Sequence, residues 1–194
     1  KDYVFLSQLF SFIMSLIWIV GVTNAINWID GLDGLAGGFT LITSIGLVYI
    51  CFLNKDYTFS YLNLCLAGGC LGFLLKNFYP ASILMGDSGS YFLGMQLSAL
   101  SVLSTNSNLL KDQFNENISY NTNLAIIFLV LPILDMMLVI VNRLRKGKSP
   151  LYGDKSHFHH RLLSAGYSHK NVVFILLSFT IFTTLLAVSI SSKI

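Results

Sequence analysis

Charge is scarce in this chain. Only 11% of its 194 residues are Asp, Glu, Lys or Arg, while 54% are hydrophobic. Soluble domains carry about 25% charged residues, so a water-facing globular fold is excluded. A mean hydropathy of +0.69 places the core between helices in lipid. Cysteine is equally sparse: Cys51, Cys65 and Cys70 are odd in number and all lie in apolar segments. That usage excludes a disulfide framework and any metal-ligand spacing, and leaves packing. The chain begins at Lys1 with neither an initiator methionine nor a signal-peptide pattern, as a piece of a longer protein would. No internal repeat is visible.

What the chain has in quantity is long apolar runs. Six stand out, at 5–26, 36–53, 61–76, 90–105, 123–141 and 172–190. Each approaches the ~20 residues that cross a bilayer, so the expected fold is all-α: a polytopic transmembrane helical bundle of about six spans in a single membrane domain. Gly68, Gly69 and Gly72 in the third run have the spacing of close helix–helix packing.

Six spans put loops 27–35, 77–89 and 142–171 on one side. The first group, with its flanks, holds Lys76, Arg143, Arg145, Lys146, Lys148, Lys155, Arg161 and Lys170, eight of the twelve basic residues. Lys and Arg accumulate on the cytoplasmic side, so these three loops are expected there. Loop 106–122, rich in Asn and containing Asp112 and Glu116, reads as a solvated connector on the far side.

The three cytoplasmic loops hold the chemistry. The first is NAINWIDGLDGLAGG, residues 24–38. Asn24, Asn27, Asp30 and Asp33 recur every third residue, which on a helix gives a slowly drifting polar stripe. A helix end stopped by glycine and capped by Asp would explain one Asp and one Gly. It does not explain two Asn and two Asp beginning inside an apolar run, where polar groups are costly and commonly functional. Oxygen ligands beside glycine suit a hard cation and a phosphorylated substrate.

The second loop runs from Lys76-Asn77-Phe78-Tyr79-Pro80 to Gly86-Asp87-Ser88-Gly89. Asp87 or Ser88 could cap the next helix; alternatively Asp87 gives a carboxylate to a cation, with helix N–H groups favouring an anion. The third loop contains Asp154-Lys155-Ser156-His157-Phe158-His159-His160-Arg161. Its basic residues anchor the loop at anionic headgroups. HxHH could ligate zinc, but no cysteine is near and flanking cations disfavour a metal; contact with a diphosphate fits better. Asp135, inside the fifth run after Pro132, is expected to pair with a cation or a backbone donor. Helix support and a direct site role are both open for it.

NAINWIDGLDGLAGG, NFYPASILMGDSGS and DKSHFHHRL, in this order and spacing, resemble the polyprenyl-phosphate N-acetylhexosamine-1-phosphate transferases, the group of WecA, TagO and MraY. HFHH is more similar to the HIHH of the WecA and TagO branch than to the HHH of MraY. The resemblance covers essentially the whole chain. It implies transfer of a sugar-1-phosphate, GlcNAc-1-phosphate by default, from a UDP-sugar to a polyprenyl phosphate with release of UMP. The setting implied is the bacterial inner membrane, in cell-envelope polysaccharide synthesis, with the active site on the cytoplasmic face. It implies Mg²⁺, with Mn²⁺ an alternative, at Asp87 and Asn27. Asp30 and Asp33 match active-site acidic positions; His157, His159 and His160 match the phosphate-proximal motif; Asn77 and Leu84 match positions near uracil. Asn24, Lys155 and Arg161 complete the expected substrate-binding set. The partners are the UDP-sugar, the polyprenyl phosphate and the bilayer, with no nucleic acid; a homodimer is compatible. An aspartate-rich motif that precedes NxxN in the family has no match here. The chain therefore looks like the C-terminal portion of such an enzyme, inactive in isolation. The rivals are an ion-coupled transporter and an inactive remnant.

Overall fold

The computed structural model describes residues 2–106, 122–149 and 156–192, and every element among them is a helix. In chain order these are α1 (Asp2–Ile29), α2 (Leu35–Leu53), α3 (Tyr57–Asn77), α4 (Gly86–Thr105), α5 (Thr122–Phe128), α6 (Val130–Arg145), α7 (Phe158–Ser164) and α8 (His169–Ser191). The solvated-connector reading of 106–122 lies, for 107–121, outside the described residues, as do Asp154 and Lys155.

Among the described residues four helices are long and apolar enough to cross a membrane: α1 from Leu6, α2, α3 and α8. The other two expected runs are helical but differ in kind. α4 has the length, 20 residues, but carries Ser88, Ser90, Ser98, Ser101 and Ser104. The fifth run is interrupted at Leu129 and divides into the seven residues of α5 and the sixteen of α6. Pro132 explains the break. It has no N–H to continue the helix across the junction, and in the first turn of α6 that N–H is not needed. Together the helices form a polytopic membrane bundle.

α2 is the central helix, with Phe39 and Leu47 fully buried and Ile50 nearly so. It packs on α3, α4 and α8, while α1 packs on α4 and α6. The outer face of α1 exposes Phe10, Phe12, Ile17 and Val20, as a lipid-facing surface does. Serine lets α4 sit close to its neighbours. Ser98 and Ser101 are buried and donate to carbonyls one turn back, so neither of these two hydroxyls is stranded. Trp18 Nε1 of α1 donates to the Ser98 carbonyl at 2.9 Å, and Asn63 of α3 donates to Ser104 Oγ at 2.8 Å.

The glycines the sequence pointed to make no close helix contact. A Cβ on Gly68, Gly69 or Gly72 would meet nothing within 4 Å. Gly69 instead lines an open apolar groove between α3 and α4. The tight contact is at Gly94 of α4, where a Cβ would lie 2.7 Å from Thr23 Cα of α1. Gly94→Ala is expected to push α1 from α4 and cost about 1–3 kcal/mol, read as a lower unfolding temperature in detergent. Gly72→Ala should be neutral or slightly stabilising, because alanine is the better helix former.

Candidate active site

The site forms where the helices stop. α1 ends at Ile29, and residues 30–34 make a turn into α2. The polar stripe therefore divides. Asn24 and Asn27 are on α1, while Asp30 and Asp33 are in the turn and not on a helix face. Gly34 has φ 81°, a conformation glycine adopts without penalty. Asn24 turns back on its own helix, donating to the Val20 carbonyl at 2.7 Å, and does not line the cleft formed by the rest.

That cleft has a volume of about 270 Å³ and is walled by Asn27, Asp30, Asp33, Asn77, Leu84 and Asp87. Asn77 ties its walls together. Its Oδ1 accepts the Gly34 N–H at 3.0 Å and its Nδ2 donates to the Ile83 carbonyl at 2.9 Å. Asp33 Oδ2 accepts the Ala81 N–H at 3.0 Å. The turn after α1 and the loop after α3 are thereby locked to each other. Leu84 stands at the rim, 78% exposed.

Asp87 does not cap α4, and neither does Ser88. The helix begins at Gly86 with Met85 in the cap position, so Asp87 lies in the first turn. Its Oδ1 accepts from Asn27 Nδ2 at 3.1 Å, and the same amide donates to Ser90 Oγ at 2.9 Å. Burial, then the charges of Asp87 and Asp33, push Asp30 up to about 6.

The histidines cluster against Gly31, a wall residue of the cleft. His157 and His159 are buried and stack at 5.5 Å, and His159 meets His160 at 4.3 Å. His159 packs on the backbone of Gly31, where any Cβ would collide with its Nε2. Gly31 also lines the acidic cleft, so the histidine cluster and the carboxylates share that residue as a wall. Burial, then His160 and His157, push His159 down to about 4, with Asp135 opposing. Arg161 lies exposed on α7.

Asp135 reaches this cluster from α6. Its Oδ2 is 2.7 Å from His157 Nδ1, and its Oδ1 accepts the Phe158 N–H at 2.6 Å. Its partners are thus an imidazole and a backbone donor. Trp28 was not anticipated as part of the site. Its ring meets His157 edge-on at 5.8 Å and carries the Arg143 guanidinium at 4.8 Å. An aromatic between Asn27 and Asp30 was the available signal.

Could the cleft hold a cation? Among the described residues no three His, Cys, Asp or Glu side chains converge as a metal cage. A cage is not what Mg²⁺ requires: it binds through one or two carboxylates, keeping waters and substrate phosphates. Asp87 and Asn27 fit that pattern, with the amide turned to present Oδ1. The mutual repulsion acting on Asp30 is of the kind a divalent cation relieves.

A membrane-embedded helical protein with an amide-and-carboxylate cleft joined at Gly31 to a histidine cluster is thus defined. Residues 2–105 match the model for glycosyl transferase family 4. The chain belongs to that family. A decaprenyl-phosphate N-acetylglucosaminephosphotransferase of Mycobacterium leprae is 40% identical over 184 residues, covering 88% of this chain and 46% of the relative. A probable undecaprenyl-phosphate N-acetylglucosaminyl 1-phosphate transferase of Bacillus subtilis is 38% identical over 163 residues, covering 84% and 43%. A phospho-N-acetylmuramoyl-pentapeptide-transferase of Chlamydia muridarum is 46% identical over 101 residues, covering 50% and 30%. The chain spans about half the length, or less, of these curated relatives. None of this supports the transporter or the inactive remnant.

Two opposed pH dependences follow. With His159 near 4 in the fold and ordinarily near 6.5, the unfolded chain binds more protons between these values. Its contribution to stability is therefore lost as pH falls through that window. Asp30, near 6 in the fold and ordinarily 3.8, does the reverse: the native state binds more protons, and stability rises as pH falls from 6 towards 4. In metal-free detergent, His159→Phe should weaken acid destabilisation and Asp30→Asn should strengthen it, read from unfolding temperature against pH.

Proposed function

We propose that this chain carries the nucleotide-sugar and cation walls of a polyprenyl-phosphate GlcNAc-1-phosphate transferase. The observation that carries the reading is the convergence of the Asn27–Asp87 pair, Asp30 and Asp33 on one cleft, with the histidine cluster packed on Gly31. The names of the relatives supply the acceptor and sugar classes. The donor is a UDP-sugar, the acceptor a polyprenyl phosphate and the leaving group UMP.

In this reaction an oxygen of the lipid phosphate forms a bond to the sugar-bearing phosphorus of the diphosphate, and the bond to UMP breaks. Two anions must meet, so the protein's task is alignment and charge neutralisation. Asp87 and Asn27 would hold Mg²⁺, which supplies charge neutralisation at the diphosphate when bound. His157, His159 and His160 would approach the phosphate groups from the Gly31 side. Asp33 and Asn77 keep the two loops in register, and Leu84 at the rim gives an apolar contact for the base. The excess of Lys and Arg flanking these loops supports a cytoplasmic-face site in the bacterial inner membrane, the side on which nucleotide sugars are found.

Full-length protein carrying Asp87→Ala should lose roughly 100-fold or more of Mg²⁺-dependent transfer. The measurement is radiolabelled GlcNAc-phosphate incorporated into lipid extract. Unchanged transfer at unchanged Mg²⁺ dependence would remove Asp87 from the cation site. No lipid-linked product from the unsubstituted full-length protein with any UDP-sugar would overturn the reading itself.

A further inference from the structure

Asp135 stands apart from the cleft. It is the one carboxylate of α6, it is 2% exposed, and it lies in an apolar helix. A buried carboxylate there is costly unless its oxygens are satisfied. Both are used, and both on the same short stretch: His157 Nδ1 at 2.7 Å and the Phe158 N–H at 2.6 Å. The second bond is a helix cap supplied from a distance, since His157 occupies the cap position of α7 and offers no side-chain cap of its own. The first has a further consequence. An ionised carboxylate accepts and cannot donate, so the hydrogen of the shared bond belongs to His157 Nδ1. In a neutral imidazole only one nitrogen carries hydrogen, so Nε2 is left as the acceptor. Turning the ring about χ2 would put Cδ2 where Nδ1 meets Asp135 and lose that bond, and the ring is packed in place between Trp28, edge-on, and His159, stacked.

We propose that Asp135 is a positioning residue for transfer: it locks His157 in the Nδ1–H tautomer and so presents the Nε2 lone pair as the acceptor for a proton carried by a phosphate oxygen of the substrate. The lock explains why a carboxylate stands where an amide would cap α7 equally well. Its part in turnover rests on the transferase reading, but the tautomer does not.

Asp135→Asn separates the two functions of the side chain. Asparagine keeps an oxygen for the Phe158 N–H but turns an NH₂ donor towards Nδ1, which must then accept, so the hydrogen moves to Nε2. Nitrogen-15 spectra of histidine-labelled protein, at mildly alkaline pH where imidazole is neutral, report the tautomer directly. His157 is assigned by the signal lost in His157→Gln. The unsubstituted protein should show Nδ1–H and Asp135→Asn should show Nε2–H. The opposite tautomer in the unsubstituted protein overturns the proposal whatever the variant does, so a misfolded variant does not shelter it. In full-length protein, Asp135→Asn should lower kcat for lipid-linked product roughly 10- to 100-fold, as loss of such an orienting partner does elsewhere, with KM for the UDP-sugar little changed. In a His157→Gln background the same substitution should add nothing further. A tautomer that inverts while kcat holds would overturn the positioning role and leave the transferase reading intact. Absence of transfer by the unsubstituted protein would instead strike that reading, with the spectra still deciding the lock.

Discussion

A carboxylate beside hydrocarbon must be held by a donor or a cation, and this structure is organised around meeting that requirement. Asp135 is held by His157 and the Phe158 N–H, Asp33 by the Ala81 N–H, and Asp87 by Asn27. Each bond joins two segments far apart in sequence, so satisfying the charges also assembles the site. Asp30 is the carboxylate in which the cost shows. Burial and two like charges raise it to about 6, making the cleft a place where positive charge is welcome.

The same requirement explains why the chemistry gathers at helix ends. Spanning helices satisfy their own backbone and leave little for a ligand. The turn after α1, the loop after α3 and the first turn of α4 have free backbone and glycine, and they supply the cleft. Rigid helices set the positions of these segments. Gly94 brings α4 against α1 at Thr23, and α4 in turn carries Asp87 to Asn27. The break at Leu129 starts α6 afresh, and Asp135 lies within it.

The sequence made most of the site legible, because polar residues in apolar surroundings are conspicuous. Asn27, Asp30, Asp33, Asn77, Leu84 and Asp87 do converge on one cleft. Asn24 shared their spacing but not their destination, since the helix ends before the stripe is complete. Asp33 and Asn77 match ligand-contact positions in sequence, and in the fold each also makes hydrogen bonds that lock the loops. Gly68, Gly69 and Gly72 carried the packing motif, yet Gly94, inside an unremarkable serine-rich stretch, makes the close approach. Motif spacing records what a helix can do, and the partner decides whether it does it.

Composition and periodicity by themselves determined a helical membrane bundle with its reactive groups in three loops, because hydropathy and charge act locally along the chain. Tertiary structure alone decided which of those groups meet. Asp135 could have paired with any cation; it took His157 because α6 and α7 dock there, and Trp28 became the ring beside it only when α1 closed on both. Pairing of buried charge depends on distances of a few ångströms between segments tens of residues apart, which a linear sequence does not contain.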